Sequence, residues 1–333
     1  KSHIRSFSLL ASARGENSIL RRWIDRRGLH VFGNSRLFWV AVFLLCIFDI
    51  RKSLCENALS HRGRIAVIFQ QKERYIMNES YIGVTGFVSR DEVDRVLEVF
   101  PKDSKRKLMV GVLASNKTLR GISNKWPNRY PKPKDIAGIF PDHSNVLNLV
   151  HFHAQDSKDL LDWLLEVTEL GGGNFHGFQL NIKWPDIRVL EDYKKRHPSN
   201  VIVLQCGSGA LKLASGDPKM LARFVRDYVD LCDYVLVDPS GGRGEPLIPE
   251  TTLQFLDHLY DVLDGEMNIG VAGGLGVPGE TRKLLQPIFE FFPDTSVNME
   301  ATLPQRADCS GYARVSCDSG LFPAESGAVA FGC

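Results

Sequence analysis

From Tyr81 onward one unit recurs along the chain: a short β-branched apolar run, a turn, then an amphipathic stretch. The runs are Ile82–Phe87, Leu108–Ala114, Val146–Phe152, Gly177–Ile182, Val201–Gln205, Tyr234–Val237, Asn268–Val271 and Ser296–Met299. Between them lie segments with helical periodicity: Arg90–Phe100, Lys134–Phe140, Ser157–Leu170, Asp186–Arg196, Pro218–Leu231, Pro249–Leu263 and Glu280–Phe292. Helix starts are marked by Ser89 before Arg90-Asp91-Glu92 and by Asp217-Pro218, a capping side chain ahead of a proline at the first helical position. Leu221, Phe224, Val225 and Tyr228 form a clean apolar stripe. Strands alternating with helices at a pitch of about 30 residues predict parallel pairing through right-handed crossovers. An open doubly wound sheet and a closed (β/α)8 barrel both satisfy that pattern. The count of eight favours the barrel, as does a core of about 220–250 residues.

The α/β barrel is expected over residues 65–303, with an N-terminal extension at 1–64 and an atypical C-terminal tail at 304–333. Ile65–Phe69 is a further apolar run without an assigned place, and the last barrel helix is expected within Pro304–Cys333. The extension is arginine-rich and leads into twelve apolar residues, Leu37–Phe48. A spanning helix needs about 20 such residues and a signal-peptide core about 7–15. The segment therefore reads as a targeting or membrane-contacting element, or as an extension without a folded role, or as a helix packed on the main domain. None of these gives it catalysis. The barrel itself is expected in the cytoplasm, and the oligomeric state is left open.

Lys+Arg 41 against Asp+Glu 39 gives a net charge of +2, which offers no whole-molecule attraction to nucleic acid. The seven cysteines include no C-x-x-C pair, which argues against a zinc ribbon or a redox dithiol. No motif calls for a cofactor.

In a barrel of this kind the working face is the C-terminal end of the strands. After strand seven comes Ala272-Gly273-Gly274-Leu275-Gly276 and a helix, a backbone that can approach an anion beside a helix N-terminus. Gly273 and Gly274 are the candidate phosphate cradle. Strand six ends at Asp238, followed by Gly241-Gly242-Arg243-Gly244; Asp238 is the candidate general acid or base. Alternation puts Gln179 and Asn181 of strand four on one face, with Lys183 and Trp184 just beyond as sources of charge or stacking. Strand three carries His151 and His153, two histidines on one face. Metal-dependent barrel hydrolases need further ligands on other strands, and strands five and six end in Gln205-Cys206 and Asp238. No metal is assigned, and a hydrolase using His151 and His153 ranks last among the readings. The loop after strand two carries Lys117, Arg120, Lys125 and Arg129 and suits an anionic substrate.

Taken together, these motifs resemble phosphoribosylanthranilate isomerase, a (β/α)8 enzyme of tryptophan biosynthesis, over roughly Tyr81–Leu303. The family's strand-four Gln-Leu-His-Gly reads here Gln179-Leu180-Asn181-Ile182. Its strand-six Asp and glycine-rich loop correspond to Asp238 and Gly241–Gly244. Its strand-seven Ala-Gly-Gly-Leu is matched by Ala272–Leu275. The resemblance implies a small phosphorylated, ribosyl-type substrate, with Asp238 as general acid and with Gly273 and Gly274 on the phosphate. Gln179, Asn181, Gly241, Gly242 and Arg243 complete the expected binding set. The family's catalytic Cys falls where this chain has Thr85, and a threonine hydroxyl without an adjacent base is a poor proton acceptor near neutral pH. Strand eight brings Glu300 near the expected phosphate. The chain is thus expected to be a diverged isomerase-like barrel, either an isomerase- or lyase-like enzyme or a phosphate-ligand binder without catalysis.

Overall fold

The computed structural model describes residues 47, 79–124, 126–239, 247–275 and 278–300. Eight parallel strands close into a barrel in chain order: β1 (Tyr81–Thr85), β2 (Lys107–Ser115), β3 (Val146–His153), β4 (Gly177–Asn181), β5 (Val201–Cys206), β6 (Tyr234–Val237), β7 (Asn268–Ala272) and β8 (Ser296–Glu300). The pairing of β8 with β1, Val297 opposite Ile82 and Asn298 opposite Gly83, completes the ring. The helices among the described residues are α1 (Arg90–Val99), α2 (Asn116–Leu119), α3 (Ile136–Ile139), α4 (Leu160–Gly171), α5 (Ile187–Arg196), α6 (Ser208–Leu213), α7 (Pro218–Arg226), α8 (Pro249–Leu263) and α9 (Pro278–Phe291).

The expected caps form. Ser89 Oγ accepts from the Glu92 N–H, while Glu92 Oε2 reaches back to the Val88 N–H at 3.0 Å. Asp217 accepts from the Lys219 N–H with Pro218 at the first helical position. Two expected helices are shorter. Over Lys134–Phe140 the chain forms a 3-10 turn, Pro133–Asp135, and then one α-turn, α3. Over Pro218–Leu231 the helix stops at Arg226, because the chain tightens to i→i−3 bonds such as Tyr228 N–H to Val225 O at 2.9 Å. The short helices α2 and α6 lie where only loops were expected.

Each strand has two faces, and they build two cores. Outward residues such as Val84, Val110, Val150, Leu180, Leu204, Val235 and Val297 are buried under the helices. Tyr81, Met109, Leu147, Leu149, Val203, Tyr234 and Leu236 fill the inside of the barrel. At the N-terminal end of the barrel, Arg106 is fully buried. Its guanidinium donates to Thr295 O at 2.6 Å and Pro293 O at 2.5 Å and lies 5.1 Å from the Phe289 ring centre. It thereby ties the start of β2 to the segment that enters β8.

The run Leu37–Phe48 falls outside the described residues except for Ile47, which is buried in the outer core. No helix among the described residues is long and apolar enough to cross a membrane. The rest of 1–64, the run Ile65–Phe69 and the tail 304–333 also lie outside the described residues.

Two inward glycines leave space for the polar residues above them. A Cβ on Gly111 would stand 2.7 Å from Thr85 Oγ1 and 2.9 Å from Thr85 Cα, and one on Gly83 would stand 2.6 Å from Asn298 Oδ1. Because the Thr85 obstacle includes backbone, Gly111→Ala is expected to destabilise the fold by about 1–3 kcal/mol, the usual range for overpacking. Urea unfolding of the variant checks this; an unchanged midpoint would show that β1 and β2 can spread at no cost.

Candidate active site at the C-terminal mouth of the barrel

Along the barrel axis the interior changes character. Above the apolar filling, the inward positions near the strand ends are Thr85 on β1, His151 on β3, Gln179 on β4, Gln205 on β5, Asp238 just after β6 and Asn298 on β8, all buried. A buried polar group without a partner costs about 1–3 kcal/mol, so these side chains have to satisfy one another.

They do so in one directed chain across the barrel. Thr85 Oγ1 donates to Asn298 Oδ1 at 3.3 Å. Asn298 Nδ2 donates to Gln179 Oε1 at 2.9 Å. Gln179 Nε2 donates to Gln205 Oε1 at 3.0 Å. Gln205 Nε2 donates to Asp238 Oδ2 at 2.8 Å. Every donor points towards the carboxylate. Amides aligned in this way polarise one another, and the last bond is charge-assisted.

His151 hangs from the middle of the chain. Gln179 Nε2 lies 3.2 Å from its Nδ1 and Asn181 Nδ2 lies 3.3 Å from its Nε2. Burial holds its protonated form down to about pH 3, and the nearby His153 and Arg129 push the same way while Asp238 opposes them weakly. The ring is therefore neutral and carries one proton. The Gln179 donor on Nδ1 calls for that proton on Nε2, whereas the Asn181 Nδ2 facing Nε2 calls for it on Nδ1.

Gln179 and Asn181 thus share a face and meet at His151, as alternation along the strand suggested. Gln205 and Asn298 join them without having been singled out as site residues. The signal available for both was position: a polar residue in an inward register near the end of an otherwise apolar strand. Asp238 and Gly273 stand on the same rim, after β6 and β7, whose strands pair in parallel. Gly273 has φ 119° and Gly274 φ 59°, the left-handed half of the map, so the turn after β7 needs its glycines. Gly241, Gly242 and Arg243 lie outside the described residues, as does Lys125.

Several expected contributors are turned elsewhere. Trp184 packs against α7 and the turn after it, edge-on to Phe224 at 5.4 Å and stacked on Tyr228 at 5.9 Å. Arg120 is engaged with Glu166 at 2.8 Å. Lys117 and Arg129 remain close enough to the mouth to depress the basicity of His153 and His151, respectively. A cavity of about 330 Å³ lies beside the mouth, lined by Lys117, Arg120, Asp159, Asp162 and Trp163.

The site has no cysteine base at Thr85, and Cys206 does not replace one. Its side chain belongs to the outer core, and burial pushes the thiol up to about 12. Both ring nitrogens of His151 face amides, and no group of three metal-ligating side chains occurs among the described residues.

No protein-family model matches this chain, and no curated protein matches it.

The neutral His151 has a consequence for stability. An unfolded histidine protonates near pH 6.5, whereas folded His151 resists until about pH 3. Between those values the unfolded chain binds more protons, so stability rises with pH across the window and is lost as pH falls. His153 and His176 are shifted in the same direction and form a background. His151→Gln keeps an acceptor for Gln179 and removes the titration. Urea unfolding between pH 7 and pH 4 should therefore show a shallower loss in the variant, by up to about 1.4 kcal/mol per pH unit. Parallel curves would mean that His151 takes up its proton in the folded state.

Proposed function

We propose that this protein binds a small phosphorylated, ribosyl-type ligand at the C-terminal mouth of its barrel and transfers a proton to or from it through Asp238, as a diverged relative of the phosphoribosylanthranilate isomerase-like barrels. The observation that carries this reading is the directed amide chain. Three side-chain amides from β8, β4 and β5 are committed, in a buried layer, to one carboxylate at the end of β6. A structural role alone would be met more cheaply by apolar side chains of the same size. The β7 turn supports the phosphate half of the reading, because Gly273 and Gly274 precede α9 on the same rim, and a helix N-terminus after strand seven suits an anion. Asp238 is the proton-transfer group, Gln205 and Gln179 position it, and the partly buried Asn181 faces the ligand with the neutral His151 behind it.

A second reading, a phosphate-ligand binder without turnover, is favoured by one specific feature. Thr85 occupies the place of the isomerase family's base, and its hydroxyl hydrogen-bonds to an amide oxygen rather than to a group that could activate it. A hydrolase built on His151 and His153 gains nothing from this arrangement, since metal binding at His151 would require its amide partners to let go.

Calorimetric titration with ribose 5-phosphate tests the binding half. Gly274 is the position to change, because Asp and Asn both tolerate its left-handed backbone. Gly274→Asp should weaken binding by about 1–3 kcal/mol, the scale of a lost charge-assisted hydrogen bond, and Gly274→Asn by clearly less. Equal effects of the two changes would remove the anion from the β7 turn. For the catalytic half, phosphoribosylanthranilate should not turn over in the unmodified protein. Thr85→Cys should give measurable isomerisation, lost again when Asp238→Asn is added. Robust turnover by the unmodified protein would show that another residue supplies the base.

A further inference from the structure

The amide chain is directional, and its direction is set at one end only. A carboxylate can only accept a hydrogen bond, so an ionised Asp238 requires Gln205 to present Nε2 to it. Gln205 Oε1 then faces Gln179 Nε2, and Gln179 Oε1 faces Asn298 Nδ2. At the far end stands the Thr85 hydroxyl, which donates here and accepts equally well. On reversal the Thr85 hydroxyl accepts from Asn298 and turns its own proton away from that amide. His151 is attached at Gln179, the middle link, through Nδ1.

We infer that Gln205 and Gln179 are positioning residues that couple the charge of Asp238 to the tautomer of His151: with Asp238 ionised, His151 is protonated on Nε2, and with Asp238 protonated, the amides turn over and His151 is protonated on Nδ1. This deepens the acid–base reading of Asp238 and rests on it for its catalytic meaning. The proton accounting is simple. When Asp238 accepts a proton on Oδ2, that O–H donates to Gln205 Oε1. Each amide then rotates about its last torsion, so Gln205 donates to Gln179, Gln179 to Asn298, and Asn298 to Thr85 Oγ1. No proton travels along the amides. Gln179 now shows His151 an oxygen, and the ring exchanges its Nε2 proton with solvent for one on Nδ1. In that second state the Nε2 lone pair accepts from Asn181 Nδ2, the orientation in which the Asn181 amide already lies 3.3 Å away. Asn181 therefore fits one state and the Gln205–Asp238 bond the other, as expected of a layer that serves both.

A ligand that gives its proton to Asp238 would thus meet a different face of the Asn181 amide before and after the transfer. The charged and titratable groups acting on His151 are His153 on its own strand, Arg129 in the segment after β2 and Asp238 after β6, with Lys117 acting on His153. Of these, Asp238 joins the amide chain directly, through Gln205.

Long-range proton–nitrogen NMR of the full chain with 15N-labelled histidine reads the tautomer directly and needs no ligand. At neutral pH the unmodified protein should show His151 as the Nε2–H form. Asp238→Asn, which can accept or donate, should shift the population towards Nδ1–H by several fold. Gln205→Leu cuts the link, so in that background Asp238→Asn should no longer move the His151 signals. An Nδ1–H ring in the unmodified protein at neutral pH would overturn the coupling, as would a tautomer indifferent to Asp238→Asn in the intact chain. Should the variants fail to fold, the unmodified protein still decides the polarity. Ribose 5-phosphate titration of the same samples keeps the two ideas apart. Failure to bind with the expected tautomer would sink the functional reading alone, and binding with the wrong tautomer would sink the coupling alone.

Discussion

Gln179 is the side chain on which the mouth of this barrel depends. Its oxygen accepts from Asn298, and its nitrogen serves both Gln205 and His151. It is 1% exposed, so water cannot stand in for a missing partner. Removing it would orphan polar groups on β3, β5 and β8 together, each at a cost of about 1–3 kcal/mol. Satisfaction of that hub dictates much that looks incidental. Gly83 is small because Asn298 needs its space, and Gly111 because Thr85 does. The barrel can be buried and polar at one end because three strands, β4, β5 and β8, supply amides of complementary direction.

The two ends of the barrel divide the labour of the fold. At the N-terminal end, closure is secured by apolar packing of Tyr81 against Tyr234, ring centres 5.1 Å apart, and by the Arg106 clamp on the segment before β8. At the C-terminal end the strands hand their last inward positions to polar side chains, and the loops begin. Conserving shape at one end and varying chemistry at the other is what lets a parallel barrel host a site without unfolding around it.

The eight strands were legible because each is a compact apolar run bounded by turns, and that signal is local. Ser89 and Asp217 were legible as caps for the same reason. The face shared by Gln179 and Asn181 followed from strand periodicity alone. The chain linking them to Asp238 was not legible, because its bonds join residues 119 and 213 positions apart, and no local pattern carries such pairs. Trp184 was misplaced for a different reason. Its φ of 48° turns the chain at that point, and the ring lies on Tyr228 and Phe224 of the following helical layer. A loop's backbone sense is not written in its composition. The shortened helix before β3 has a simpler cause, since Pro131, Pro133 and Pro141 bracket the segment and confine it to one turn.

Thr85 stands at the end of β1, at one end of the amide chain. In the barrel its hydroxyl terminates the amide chain as a group that can donate or accept. A thiol in its place would be a weak partner in both senses. Thr85 thus supplies an end group that can take either sense of hydrogen bond. A residue fixed as donor or as acceptor at that end would lock the amides in one direction and hold Asp238 in one charge state. A neutral His151 fits the same logic, because an imidazolium there would need two acceptors and would pull Gln179 out of register with Gln205. The layer thus gathers its amides on one carboxylate, Asp238, and keeps the ring beside them uncharged.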